Sequence, residues 1–214
     1  MFYLCDYSPA DAAATKYLNG TENVTVNEIS NGLFLDGKGN DTALIFYPGA
    51  KVEYTSYLPL FVELADKGID CYILKMPFNF AFFDMDGVDS VINTANYSHY
   101  ILSGHSLGGV VASSYVNHTG NGDGLILLAA FPSEKINKPT LSVYGSQDKI
   151  LNMKKYNESK ELVSNLTEFQ IAGGNHAQFA CYGNQSGDGI ANITSQNQQN
   201  QTVSKILDFI NSLK

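Results

Sequence analysis

Arginine is absent from the 214-residue chain, and with it the usual bidentate reader of phosphates and base edges. The formal net charge is −8, which repels a phosphate backbone and argues against nucleic acid as a partner. No run of about 18 apolar residues exists to span a bilayer, and the opening MFYLCDYSPAD lacks a basic segment ahead of an apolar core. Neither a membrane segment nor an export signal is therefore expected. The default location is the cytoplasm, with a membrane-anchored or extracytoplasmic location as the alternative if an N-terminal segment has been removed. Cysteine is scarce. Cys5, Cys71 and Cys181 are odd in number and widely separated, which supports neither a disulfide framework nor a CxxC zinc site. Sequons at Asn23, Asn96 and Asn165 carry little weight in a chain this rich in Asn, Ser and Thr. Repeats and Pro/Ser linkers are also missing, so residues 1–214 are expected to form a single domain.

Hydrophobic residues make up 44% and charged residues 16%, ordinary proportions for a chain that buries a core. The segment SPADAAATKYL predicts a leading helix with Ser8 at its N-cap and Pro9 at its first position. VNEISNGLFLD predicts an early strand, so residues 1–41 precede the core. From 42 onward, short continuous apolar runs alternate with helix-length patterns, which implies βα units around a mostly parallel sheet covered on both faces. The runs are TALIFY (42–47), IDCYILK (69–75), HYILSG (99–104), GLILLAA (124–130), TLSVYG (140–145) and LTEFQIA (166–172). Helices are expected near 55–67, 86–95, 107–118, 149–163 and 202–213. The polar, Gly-rich stretch 183–201 lacks the order of a calcium-binding loop and predicts a surface excursion before the last helix.

One short motif carries chemistry. Gly104-His105-Ser106-Leu107-Gly108 is a Gly-x-Ser-x-Gly sequence directly after a predicted strand and directly before a predicted helix. Its glycines permit a tight turn that lifts the Ser106 hydroxyl from the sheet edge, and the helix behind it directs N-terminal amides at developing charge. The hydroxyl needs a base. His99, His105 and His118 have ordinary readings as surface or packing residues. His176, in IAGGNHAQF, follows the last predicted strand and falls on the same edge of the sheet. A third group must orient the imidazole. Asp148, after the preceding strand, is placed for that role, although it could instead cap the following helix. Glu134 is the reserve acid, whereas Asp188 follows the histidine in the chain.

The order Ser106, Asp148, His176 resembles that of the α/β-hydrolase family, and the resemblance covers about residues 42 to 214. The segments YPGAKVEY, KMPFNFAFFD and GGNHAQFACYG are similar to those of compact bacterial members described as esterase-like or dienelactone-hydrolase-like. Dienelactone hydrolases proper carry cysteine where this chain has Ser106, which favours a serine esterase. The resemblance implies an α/β-hydrolase fold, Ser106 as nucleophile, His176 as base and Asp148 as its orienter. It also implies an oxyanion hole made by the amides of Leu107 and Ala50, the latter in Tyr47-Pro48-Gly49-Ala50. No metal or organic cofactor is required, and the partner is a small-molecule ester. Only FPSEKINKP separates two core strands where many members insert a lid, so an open site without a cap is expected. Lys51, Lys75 and Phe78 are the candidate substrate-binding residues, the lysines as anchors for an anionic substrate and Phe78 as part of an apolar wall. An acyltransferase or thioesterase would use the same three residues, and a hydrolase-fold binding protein without turnover is the alternative from another class.

Overall fold

The sequence TALIFY forms β3 (Thr42–Tyr47), and all six of its residues are buried, as a strand covered on both faces requires. The computed structural model describes residues 6–39 and 41–214; Cys5 lies outside them. The other apolar runs form β4 (Asp70–Leu74), β5 (His99–His105), β6 (Gly124–Leu128), β7 (Ile136–Gly145) and β8 (Val163–Ile171). Ahead of these, VNEISNGLFLD makes two strands where one was expected. Ser30-Asn31 turns the chain, so that β1 (Thr25–Ile29) and β2 (Gly32–Asp36) pair antiparallel. The eight strands form one sheet in the order β1-β2-β4-β3-β5-β6-β7-β8. From β4 to β8 every pairing is parallel, and β2 joins β4 antiparallel.

Two apolar layers cover the sheet. Helices α2 (Leu58–Asp66) and α6 (Ser195–Ser212) contribute Leu60, Phe61, Ile206 and Ile210 to one core layer. Helices α3 (Asp89–Ile92) and α4 (Leu107–Thr119) contribute Val91, Val111, Ala112 and Tyr115 to the other. Helix α5 (Met153–Ser159) adds Tyr156, which packs with Tyr144 and Leu151.

Other expected elements differ as well. The leading helix shortens to α1 (Ala12–Thr15), capped by Asp11 and not by Ser8. Ser8 is instead extended beside Val52, with Ser8 N–H donating to the Lys51 carbonyl and Glu53 N–H donating to the Ser8 carbonyl. Those bonds hold the segment against the loop after β3 and leave it no freedom to coil. Residues 86–95 hold only short helical turns, including α3. Helix α6 begins at Ser195, capped by Thr194, so it takes in polar residues that composition assigned to the surface excursion. Gln198, Gln199 and Thr202 are buried there. Among the described residues no helix is long and apolar enough to cross a membrane.

Candidate active site

The turn between β5 and α4 is strained at one non-glycine residue. Ser106 has φ 52° and ψ −124°, a conformation that costs about 1–3 kcal/mol and persists where surrounding packing fixes it. The glycines make this turn possible. A Cβ on Gly108 would lie 2.2 Å from the Tyr47 carbonyl oxygen, and one on Gly104 would lie 2.4 Å from Gly108. With no side chains in the way, α4 packs directly against β3 and β5, and the Ser106 side chain projects at the sheet's carboxyl edge.

His176 follows Gly173-Gly174-Asn175 after β8, and it is 1% exposed. Its Nδ1 lies 2.8 Å from Asp148 Oδ2, a pair whose side chains are 2% and 0% exposed. The other Asp148 oxygen accepts from the amides of Ile150 and Leu151, both at 2.8 Å. Capping and orienting are therefore not alternatives for Asp148: one oxygen holds the turn and the other holds the imidazole. Helix α5 starts later, capped by Asn152. Ser106 and His176 line one cavity of about 280 Å³, with Leu107, Val110, Phe131 and Leu151 among its other walls. No hydrogen bond joins Ser106 to His176 among the described residues. Such bonds commonly tighten only once substrate is bound.

The backbone amides of Ala50, in the loop after β3, and of Leu107, directly after Ser106, have no hydrogen-bond acceptor among the described residues. Their neighbours are occupied. Gly49 N–H donates to Tyr57 Oη at 3.0 Å, and Lys51 N–H donates to the Asn79 carbonyl at 2.8 Å. The remaining candidates lie elsewhere. Lys51 Nζ is 3.6 Å from Asp6, Lys75 Nζ sits 5.8 Å from the centre of the Tyr54 ring, and Phe78 is 59% exposed. None of the three lines the cavity. The reserve acid Glu134 faces His118 at 3.5 Å, and His99 faces Asp123 at 3.6 Å. Between β6 and β7 the chain runs through residues 129–135 without a helix or strand of its own.

Sequence reasoning missed three supports. His105 is 1% exposed. Its Nδ1 is 2.8 Å from Tyr57 Oη and its Nε2 is 3.2 Å from the His176 carbonyl oxygen, so it ties the loop after β3 to the loop carrying His176. A Cβ on Gly49 would lie 2.9 Å from His105 Nδ1, which fixes glycine there. Asp188 accepts from Lys149 N–H at 3.3 Å and from Ala177 N–H at 3.0 Å, the residues directly after Asp148 and His176. Gln198 exchanges two hydrogen bonds with the backbone of Asn175, at 3.0 and 2.8 Å. The Gly-Asn-His sequence and the Ser-Gly-Asp-Gly turn hint at constrained loops, but nothing local pairs them across the chain.

An eight-stranded, mostly parallel sheet with a strained serine turn after its fifth strand and a buried Asp–His pair on the same edge defines an α/β-hydrolase. A model of the alpha/beta hydrolase family matches residues 43–200, and the chain belongs to that family. No curated protein matches it in sequence. Among solved structures it is similar to TT1662 from Thermus thermophilus, with TM-score 0.66 and 13% identity over 87% of this chain and 98% of that one. It is also similar to Est1E from Butyrivibrio proteoclasticus, with TM-score 0.60 and 12% identity over 88% and 99% of the two chains. Alpha/beta hydrolase domain-containing protein 10 from mouse matches with TM-score 0.62 and 13% identity over 89% and 99%. At such identities these likenesses speak for the fold.

Proposed function

We propose that this protein is a serine hydrolase that cleaves carboxylic esters through an acyl-enzyme. The observation that carries the reading is the buried Asp148–His176 pair at 2.8 Å, opening into the same cavity as the strained Ser106. Ser106 Oγ forms a bond to the ester carbonyl carbon while its proton passes to His176 Nε2. The Nδ1–H of His176 donates to Asp148 throughout, and the carboxylate stabilises the imidazolium. The amides of Ala50 and Leu107 donate to the oxyanion. When the tetrahedral centre collapses, the C–O bond to the alcohol breaks and His176 returns the proton to the departing oxygen. Water, deprotonated by the same imidazole, then attacks the acyl-enzyme, releasing the acid and restoring Ser106.

A fluorophosphonate probe and a chain-length series of para-nitrophenyl esters test this. The parent is expected to label and to turn over, whereas Ser106→Ala should not label and should lose at least about a thousandfold in kcat. Labelling that survives in a folded Ser106→Ala variant would exclude Ser106 as nucleophile. Product analysis with a dilute competing alcohol separates hydrolysis from acyl transfer, since a transferase would favour the alcohol over water.

A further inference from the structure

Positive charge is segregated in this acidic chain. The segment KILNMKKYNESK, residues 149–160, carries Lys149, Lys154, Lys155 and Lys160 against Glu158 alone, in a protein of net charge −8. Lys160 is engaged by Glu168 at 2.7 Å. Lys149, Lys154 and Lys155 make no ion pair among the described residues. The same segment builds one wall of the cavity beside Ser106, where Ile150, Leu151, Asn152 and Lys155 lie together. Among the described residues Lys155 is the one lysine lining that cavity, and no carboxylate lines it.

Apart from Ser106 and His176, the rest of the wall is apolar, supplied by Leu107, Val110, Ala129, Ala130 and Phe131. Asn152 stands beside Lys155, and its Oδ1 accepts from Lys155 N–H at 3.0 Å. The side-chain NH₂ of Asn152 is thereby left as a donor on the wall that Lys155 shares. An apolar cavity of about 280 Å³ with one cation and one amide donor suits a ligand with a short apolar body and a terminal anion. The surrounding negative charge makes this placement selective, because an anion is attracted at this segment and repelled over most of the remaining surface. Resting on the serine-hydrolase reading, we propose that Lys155 determines specificity for esters bearing a carboxylate on the portion that enters this cavity.

Two pairs of substrates test it, each matching a carboxylate to its neutral carboxamide. The acyl-side pair is the mono-para-nitrophenyl ester of adipic acid and the para-nitrophenyl ester of adipamic acid. The alcohol-side pair is the butyrate ester of para-hydroxybenzoate and that of para-hydroxybenzamide. The parent is expected to favour the carboxylate by about tenfold in kcat/KM on one pair, expressed mainly in KM. Lys155→Met should erase the preference, Lys155→Arg should keep it and Lys155→Glu should reverse it, each judged as the ratio of kcat/KM for the carboxylate over its carboxamide in the same variant. No preference on either pair, or one that survives in Lys155→Met, overturns the inference. So does a preference lost in Lys51→Met or Lys75→Met and kept in Lys155→Met. Absence of any turnover or labelling in the parent would instead remove the hydrolase reading. Anion recognition is then judged by ligand-observed NMR on Ser106→Ala with monomethyl adipate and methyl adipamate. Stronger binding of the anion, abolished by Lys155→Met, supports the inference, and equal binding overturns it.

Discussion

His105 occupies the variable position of the Gly-x-Ser-x-Gly sequence, and its surroundings dictate its protonation. Burial holds the Tyr57 phenol far above its ordinary range, so Oη keeps its proton. It accepts from Gly49 N–H and donates to His105 Nδ1, which leaves His105 Nε2–H to donate to the His176 carbonyl. Burial first, and the neighbouring His176 second, push His105 well below the ordinary histidine value of 6.5. A neutral His105 is what the site requires, because its ring centre lies 4.6 Å from that of His176 and a second cation there would oppose the imidazolium of the proposed mechanism. The sign of the stability effect follows. The unfolded chain takes up this proton more readily than the folded one, so stability is complete above about pH 6.5 and declines as pH falls towards the folded value. The limiting slope is about 1.4 kcal/mol per pH unit. Urea unfolding should therefore show a steeper loss between about pH 6.5 and pH 5 in the parent than in His105→Asn, and parallel slopes would remove this assignment.

At the scale of elements, the stretch before α6 does more than connect. Its Asp188 carboxylate joins the residues following Asp148 and His176, while Gln198, one turn into α6, grips Asn175. A displacement of about 1 Å between reacting groups can cost a hundredfold in rate. Asp188→Ala is expected to lower kcat about tenfold with KM little changed, and Asp188→Asn, which keeps one acceptor oxygen, should fall between. Steady-state kinetics on the three proteins checks this, and identical kcat values would show that the brace plays no part in positioning. The polar composition of 183–201 concealed the role. Gly, Asn and Gln mark a surface loop when read locally, yet here their hydrogen bonds are spent on backbone that carries the site.

At the scale of the whole molecule, stability and the site draw on different parts of the structure. Ile45 in β3 is 0% exposed, whereas Phe82, beyond the carboxyl end of β4, is 69% exposed. Ile45→Ala should cost about 2–5 kcal/mol through lost burial and an unfilled cavity. Phe82→Ser should stay within about 0.5 kcal/mol. Urea midpoints at constant slope measure both, and a comparable loss at Phe82 would mean that the rim aromatics are part of the core.

The sheet was legible because a buried parallel strand needs only a short continuous apolar run, and TALIFY, IDCYIL and GLILL are such runs wherever they fold. The serine turn was legible too, since Gly104, Ser106 and Gly108 meet a local backbone requirement. The chain order also put Asp148 and His176 after late strands, and therefore on the edge where Ser106 lies. What local sequence could not decide is which side chains meet across the fold: that His105 joins Tyr57 to the loop of His176, that Asp188 bridges two loops, and that Lys155 lines the cavity in place of Lys51 or Lys75. These contacts link residues 11 to 71 positions apart. They depend on sheet twist, on the paths of the crossovers and on which loops pack together, and those are settled only when the entire core closes.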